Sequence, residues 1–304
     1  MKILVTGGAG FIGSHLVDKL IAKNHRVVIV DNLAAGKKEF LNKKAKFYKL
    51  DIVNPGLNKI FKKEKPEIVF HLAAQKSVPY SLKYPLEDAS INVLGSVNVI
   101  ENSLSAKVKK LIFTSTGGAI YGQTKLIPSP ESTPENPDSP YGLNKLTVDK
   151  YLKNYYSRVK NLNYVSLRLA NVYGPRQDPA GEAGVVAIFI NNLLKNKQCF
   201  INGSGQQTRD FVYVGDVVDS CIKSINKGQG IYNIGTSQET SINQLYQMIS
   251  KLIADQKARH RKAIPGEVFR SVLKSNKAKR ELSWESKIDL KSGIKRTTKY
   301  FQEL

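Results

Sequence analysis

The chain has 304 residues, 41% of them hydrophobic and 24% charged, ordinary globular values that exclude collagen-like, disordered and coiled-coil classes. This length fits two domains or one large one and buries roughly three-quarters of the unfolded surface, so a core needs no disulfide or structural metal. Lys+Arg 47 against Asp+Glu 25 give a formal charge of +22, which admits anionic partners, but the lysines are scattered and no zinc finger or aromatic-plus-basic RNA signature accompanies them.

The first half alternates short apolar runs with amphipathic stretches. Lys2–Thr6, Arg26–Val30, Lys46–Lys49, Glu67–Phe70, Lys110–Thr114 and Tyr164–Leu169 read as strands, separated by helical patterns such as Ile12–Lys23, Pro55–Lys63 and Leu86–Ser105. This rhythm predicts an α/β fold, a doubly wound parallel-sheet Rossmann domain. Five of the 12 prolines fall between Pro128 and Pro140 and predict a loop. A Gly/Pro-rich loop over Asn171–Gly184 then precedes a helix at Val185–Leu194. Gly203–Thr208 reads as a polar loop, Phe211–Val214 and Gly230–Ile234 as strands, and Asp216–Ile225, Ser241–Ile253, Asn276–Leu282 and Leu290–Tyr300 as helices. The expected division is a nucleotide-binding domain over 1–170, with later contributions from about 211–236. A smaller, mainly C-terminal α/β substrate-binding lobe takes 171–210 and 237–304. No apolar run approaches the ~18–20 residues that span a bilayer. Cys199 and Cys221, in different segments, suit a reducing cytoplasm. The four histidines and two cysteines show no ligand spacing, so no metal is expected.

Thr6-Gly7-Gly8-Ala9-Gly10-Phe11-Ile12-Gly13 joins the first strand to the first helix. Gly7, Gly10 and Gly13 let the turn tighten and let backbone N–H groups approach a pyrophosphate at a helix N-terminus. Asp31, 18 residues beyond Gly13, suits a ribose bearing both hydroxyls and would repel a 2′-phosphate, which argues for NAD. Asp51, just before Ile52, is placed to reach an adenine amino group.

The proline loop ends at Ser139-Pro140-Tyr141-Gly142-Leu143-Asn144-Lys145, with Ser139 a helix N-cap and Pro140 the first helical residue. Tyr141 and Lys145 then share a helix face at i, i+4. An ammonium ~4 Å from the phenol, at an effective dielectric of ~20, would favour phenolate by up to about 4 kcal/mol, roughly three pKa units. The pair can so provide a tyrosine that exchanges a proton near neutral pH. One strand earlier, Ser115 or Thr116 offers a hydroxyl at a strand's carboxyl end, where α/β ligands bind.

These strings, with LDI at 50–52, HLAAQ at 71–75, STGGAIYG at 115–122, RLANVYGPRQDP at 168–179, GSGQQTRDFVYVGDV at 203–217 and PGEVFRS at 265–271, resemble the extended short-chain dehydrogenase/reductase family, and within it the UDP-glucose 4-epimerases. The resemblance runs nearly the whole chain. It implies a catalytic set of Thr116 (or Ser115), Tyr141 and Lys145. It also implies an NAD site formed by Gly7, Gly10, Phe11, Ile12, Gly13, Asp31, Asn32, Asp51, Ile52, Leu72, Ala73, Ala74, Lys76, Asn92, Tyr141 and Lys145. A UDP-sugar site would use Thr116, Asn171, Val185, Arg209 as a phosphate grip, Glu267 on the uridine ribose hydroxyls, and Ser271 beside the sugar C2 group. The implied reaction is 4-epimerization of a UDP-hexose through a 4-keto intermediate.

Two positions depart from the family pattern. Ile264 stands where a second phosphate-binding Arg is common, with Arg259 or Arg261 as substitutes, and Ser271 leaves room for an N-acetyl group. UDP-glucuronate 4-epimerases, and related dehydratases and decarboxylases, are the nearest rivals. The last two carry an acid just after the strand-end hydroxyl, where this chain has Gly117-Gly118. An NAD-binding scaffold or RNA-binding protein on the same fold would typically have lost Tyr141 or Lys145. The family commonly dimerizes through two long helices, so a homodimer is expected through Leu86–Ser105 and Leu143–Tyr156, with Leu146, Tyr151, Leu152 and Tyr155 available for the stripe. No membrane or nucleic-acid partner is expected.

Overall fold

The structure, a computed structural model, describes residues 1–180, 184–263 and 267–304. In chain order the first half runs β1 (Lys2–Thr6), α1 (Phe11–Ala22), β2 (Arg26–Asp31), β3 (Lys46–Lys49), α2 (Leu57–Glu64), β4 (Ile68–His71), α3 (Val78–Lys83), α4 (Pro85–Ala89), a π-turn at Ser90–Leu94, α5 (Gly95–Ser105), β5 (Lys110–Thr116), α6 (Pro140–Lys150) and β6 (Tyr164–Leu169). It continues with β7 (Asn171–Tyr173), α7 (Val185–Leu194), β8 (Phe200–Asn202), β9 (Thr208–Arg209), β10 (Phe211–Tyr213), α8 (Val214–Ser224), β11 (Gly230–Ile234), β12 (Thr240–Ser241), α9 (Ile242–Ile253), β13 (Arg259–Arg261), β14 (Arg270–Ser271) and α10 (Leu290–Gln302).

Seven parallel strands form the central sheet in the order β3-β2-β1-β4-β5-β6-β11. Alternate residues feed opposite layers. Ile3, Val5, Val27 and Ile29 pack with Leu16, Val17 and Leu20 of α1 and Val217 and Val218 of α8. Leu4, Val28, Val30 and Val69 pack on the other side with Ile60 and Phe61 of α2, Val99 and Ile100 of α5, and Val148 of α6. A sheet covered on both faces explains why its strands read as nearly continuous β-branched runs. The strand order reverses between β1 and β4, and ligands of open α/β sheets bind outside the carboxyl ends at such a point. A separate cluster gathers α7, β8, α9 and α10 around Phe189, Ile190, Ile201, Leu245, Ile249 and Ile294.

Several elements differ from the sequence reading. Asn171–Tyr173 is strand β7, paired in parallel with β10, and not loop; its three residues are too few to show an alternation. The predicted helix over Leu86–Ser105 forms but is interrupted by the π-turn at Ser90–Leu94, and α6 likewise runs into a π-turn at Tyr151–Tyr156. Ser139 caps α6 as expected, its Oγ accepting from Gly142 N at 3.2 Å. The predicted stripe divides: Leu146 and Leu152 are buried in the chain's own core, whereas Tyr151 and Tyr155 are about 40% exposed. Leu86, Leu94 and Leu143 join that exposed surface.

One buried ion cluster ties β5, α6 and β6 together. Arg168 is fully buried and donates from Nε to Asp149 at 2.8 Å, from Nη2 to Glu135 at 2.5 Å and from Nη1 to Tyr121 Oη at 3.0 Å. Asp149 also accepts from Ser166 Oγ at 2.5 Å and Ser115 Oγ at 3.1 Å. Removing one partner of a buried pair strands the other charge. Arg168→Met is therefore expected to lose about 3–5 kcal/mol of stability in urea denaturation; a loss below about 1 kcal/mol would contradict a charge-compensating role.

Candidate active site

Three strand ends meet at the crevice where the sheet order reverses. At the end of β1, Gly7 has φ +72°, and a Cβ there would stand 2.7 Å from Ala73 N; a Cβ on Gly13 would stand 2.0 Å from Gly7 O. The loop therefore lies directly against the segment that follows β4, and only glycine lets α1 begin so close beneath it. Asp31, buried at the end of β2, braces the loop: its Oδ2 accepts from Ala9 N at 3.0 Å and its Oδ1 from Leu33 N at 2.8 Å. Phe11 and Ile12 open α1, half-buried. Asn32 donates to Asp51 at 2.7 Å, joining the chain beyond β2 to the chain beyond β3, and Ile52 is buried against α5 at Gly95.

The segment after β4 is Leu72, Ala73, Ala74, Gln75 and Lys76, half-buried except for the exposed Lys76. Asn92 does not present its amide nitrogen to the crevice. It accepts from Gln75 N at 3.0 Å and donates to Gln75 O at 3.0 Å and to Asp88 Oδ1 at 3.0 Å. These bonds hold the segment after β4 in place. Behind it lies a directed chain of bonds. Ser96 Oγ donates to Asn92 O at 2.6 Å and so accepts from His71 Nε2 at 2.9 Å. His71 Nδ1 then accepts from Thr6 Oγ at 2.8 Å, and Thr6 accepts from Ala73 N at 3.2 Å. Both imidazole nitrogens are committed in the neutral form, and burial, helped by the charge of Lys145, pushes His71 down to about 3.

At the end of β5, the Thr116 hydroxyl is the side-chain group that favours the Tyr141 phenolate. Ser115, one residue earlier and on the opposite face of the strand, is instead spent on Asp149. Of the two candidate hydroxyls, the structure brings Thr116 to Tyr141. Tyr141 N donates to Ser81 Oγ at 3.1 Å, which fastens the start of α6 to α3. Lys145 is 4% exposed, with its ammonium 4.3 Å above the Phe113 ring. The expected acidification of Tyr141 by Lys145 is absent from the protein alone. Burial pushes the phenol up to about 12, the Thr116 hydroxyl works in the opposite sense, and Asp88 adds to the rise. Burial also lowers Lys145 to about 8, against the pull of Asp149 and Asp88. The distance argument counted the ammonium and left out the desolvation that both groups undergo.

On the far wall, Gly118 collects the substrate-side residues. A Cβ there would lie 3.8 Å from Asn171 Oδ1, 3.9 Å from Ser271 Oγ and 3.9 Å from Thr116 Oγ. Three side-chain oxygens from β5, β7 and β14 thus face one small space beside Tyr141. At Gly117 a Cβ would meet Leu273 at 2.4 Å, so that position has no room for a longer side chain. Val185 opens α7. Arg209 does not bond to Asp210, which is buried under the amides of Thr236, Ser237 and Leu273. It pairs with Glu267 at 2.7 Å and also donates to Thr208 O at 2.8 Å. Arg259 and Arg261 lie on β13, which pairs with β8, in a different sheet from β9 and Arg209. Ile264 lies outside the described residues.

Asp88, Gln75 and Asn144 join this site without having been anticipated. Asp88 and Asn92, four apart on a helix, were the available signal.

Residues 3–235 match the NAD dependent epimerase/dehydratase family. The chain belongs to that family. The residues present fit its cofactor: a glycine cradle closed to any Cβ, a buried acid at the end of β2, and a buried lysine whose ammonium has no hydrogen-bond partner among the described residues. Similar members include a UDP-glucose 4-epimerase of Thermotoga maritima solved with UDP-glucose, at TM-score 0.98 and 47% identity over 100% of this chain and 99% of that one. The Thermus thermophilus UDP-glucose 4-epimerase solved with NAD matches at TM-score 0.94 and 39% identity, covering 99% of both chains. The UDP-glucose 4-epimerase of Mycolicibacterium smegmatis is 42% identical over 311 residues, again 99% of each. Among the described residues, no helix of this family member is long and apolar enough to cross a membrane.

Proposed function

We propose that the chain is an NAD-dependent 4-epimerase of UDP-hexoses, interconverting UDP-glucose and UDP-galactose and accepting their N-acetylhexosamine counterparts. The observation that carries this reading is the convergence of Thr116, Asn171 and Ser271 on Gly118, with the Thr116 hydroxyl favouring the Tyr141 phenolate. Bound NAD would take up and return the hydrogen and electron pair of sugar C4 and bring a positive ring to the site. Tyr141 removes the O4 proton as the 4-keto sugar forms and returns it after the sugar has turned over. Thr116 holds the phenol and the sugar O4 in one hydrogen-bonded line. Lys145 supplies the positive charge that offsets the burial of a phenolate. Arg209 is placed to grip the diphosphate and Glu267 the uridine ribose, the two exchanging their mutual ion pair for substrate contacts.

In this division of labour, residues 1–170 with about 211–236 carry the cofactor, and 171–210 with 237–304 carry the sugar nucleotide. A dehydratase would need an acid after Thr116, and the contact of Gly117 with Leu273 disfavours it there. The buried free cysteines Cys199 and Cys221 suit a cytoplasmic enzyme. The exposed Leu86, Leu94, Leu143, Tyr151 and Tyr155 suit a homodimer joined through α4–α5 and α6.

Tyr141→Phe is expected to lower kcat about 10³-fold while leaving KM for UDP-glucose within a few-fold, as loss of an acid/base group does; a kcat within tenfold of the parent would remove Tyr141 from the chemistry. Filling the space at Ser271 with Ser271→Tyr should cut kcat/KM for UDP-N-acetylglucosamine at least tenfold more than for UDP-glucose. Equal losses would refute the pocket assignment. Light scattering at micromolar concentration should return twice the 33.8 kDa chain mass, and a single chain mass would refute the dimer.

A further inference from the structure

Asp88 is a carboxylate with no solvent exposure at all, and among the described residues no cation bonds to it. Its partners are three side-chain amides from three parts of the chain. Gln75 Nε2 and Asn92 Nδ2 donate to Oδ1, the latter at 3.0 Å, and Asn144 Nδ2 donates to Oδ2 at 2.7 Å. Gln75 lies in the segment pressed against the glycine loop, Asn92 in the π-turn, and Asn144 in α6 immediately before Lys145. Asp88 therefore joins the segment after β4 to the helix bearing Tyr141 and Lys145. Through Asn92, Ser96, His71 and Thr6 the same bonds continue to β1. A buried charge satisfied only by neutral amides keeps its field, because amides solvate it without cancelling it.

We propose that Asp88 is a positioning residue of the epimerase site, locking α6 to the segment after β4 through Asn144 and Gln75 and acting as the through-space counter-charge of the Lys145 ammonium. The proposal rests on the epimerase reading above only for its kinetic readout. The charges felt at Lys145 are Asp149 from its own helix and Asp88 from α4; Lys145 in turn bears on the neutral His71 of β4, and its ammonium stands 4.3 Å above the Phe113 ring of β5. Asp149 is already paired with Arg168 at 2.8 Å, which leaves Asp88 as the acid whose charge is uncancelled by an ion pair. Its field raises both Lys145 and Tyr141, so removing the charge must lower both together.

Asp88→Asn separates charge from bonding. The new amide's oxygen can still accept from Gln75 and Asn92, and its nitrogen can donate to a turned Asn144, whose Oδ1 has no other partner among the described residues. The pH profile of kcat/KM for this variant is expected to move bodily toward acid by about one unit on both limbs. Asp88→Glu keeps the charge and should keep the parental limbs at a lower kcat. A profile for Asp88→Asn that superimposes on the parent's, or an equal shift in Asp88→Glu, overturns the proposal.

Should Asp88→Asn fail to fold, Asn144→Ala tests the lock: kcat should fall about tenfold with KM within about twofold, and parental kcat would overturn it. If the parent interconverts no UDP-hexose, it is the functional reading that fails. The NMR titration of 13Cε-labelled Lys145, located by comparison with Lys145→Arg, still decides the matter. Lys145 must titrate lower in Asp88→Asn than in the parent, and an unchanged midpoint would overturn the counter-charge.

Discussion

The reversal of strand order between β1 and β4 is the constraint from which the site follows. Parallel strands deliver their carboxyl ends to one edge of the sheet, and the reversal leaves a crevice there because the flanking connections depart in opposite directions. The loop after β1, the segment after β4 and the hydroxyl at the end of β5 are brought together by topology before any side chain acts. What side chains add is closeness. Gly7 and Gly13 allow backbone to lie on backbone at distances that a single methyl group would forbid.

The polar interior then converts a crevice into a site with defined charges. Burying a lysine beside β5 disfavours its ammonium, and burying a tyrosine disfavours its phenolate; in the protein alone each is displaced toward its neutral form. In the proposed reaction, a positive ring brought to Tyr141 would compensate the phenolate, while Asp149 and Asp88 favour the Lys145 ammonium. The two carboxylates whose charge reaches Lys145 are held differently. Asp149 is locked in an ion cluster with Arg168, which serves the join between β5, α6 and β6, whereas Asp88 is held by side-chain amides alone. The Arg209–Glu267 pair on the opposite wall has the same logic: two groups suited to a diphosphate and a ribose satisfy each other at 2.7 Å in the protein alone.

Much of this was legible from the residues because it is local. The glycine loop, the acid closing β2, the capped start of α6 and the i, i+4 relation of Tyr141 to Lys145 each depend on spacings of a few residues or on one strand–helix unit. The illegible part depends on partners distant in sequence. Asp88 meets Asn144 across 56 residues and Gln75 across 13, and Arg209 meets Glu267 across 58; amide and acid residue types are too common for such pairings to announce themselves. That Asn92 also holds Gln75 depends on a partner 17 residues away, which its residue type alone does not announce. The choice between Ser115 and Thr116 needed strand facing, and β7 was too short to show a period. The spacing of Tyr141 and Lys145 speaks to their attraction and carries no information about the burial that raises the phenol in the protein alone.

The central claim is that this arrangement inverts a sugar at C4 and returns its cofactor unchanged. Proton NMR of UDP-glucose incubated with the purified protein, without added NAD, tests it most directly. The account predicts a galacto-configured anomeric signal growing in at the expense of the gluco signal. A spectrum that stays unchanged, even after NAD is supplied, would contradict it.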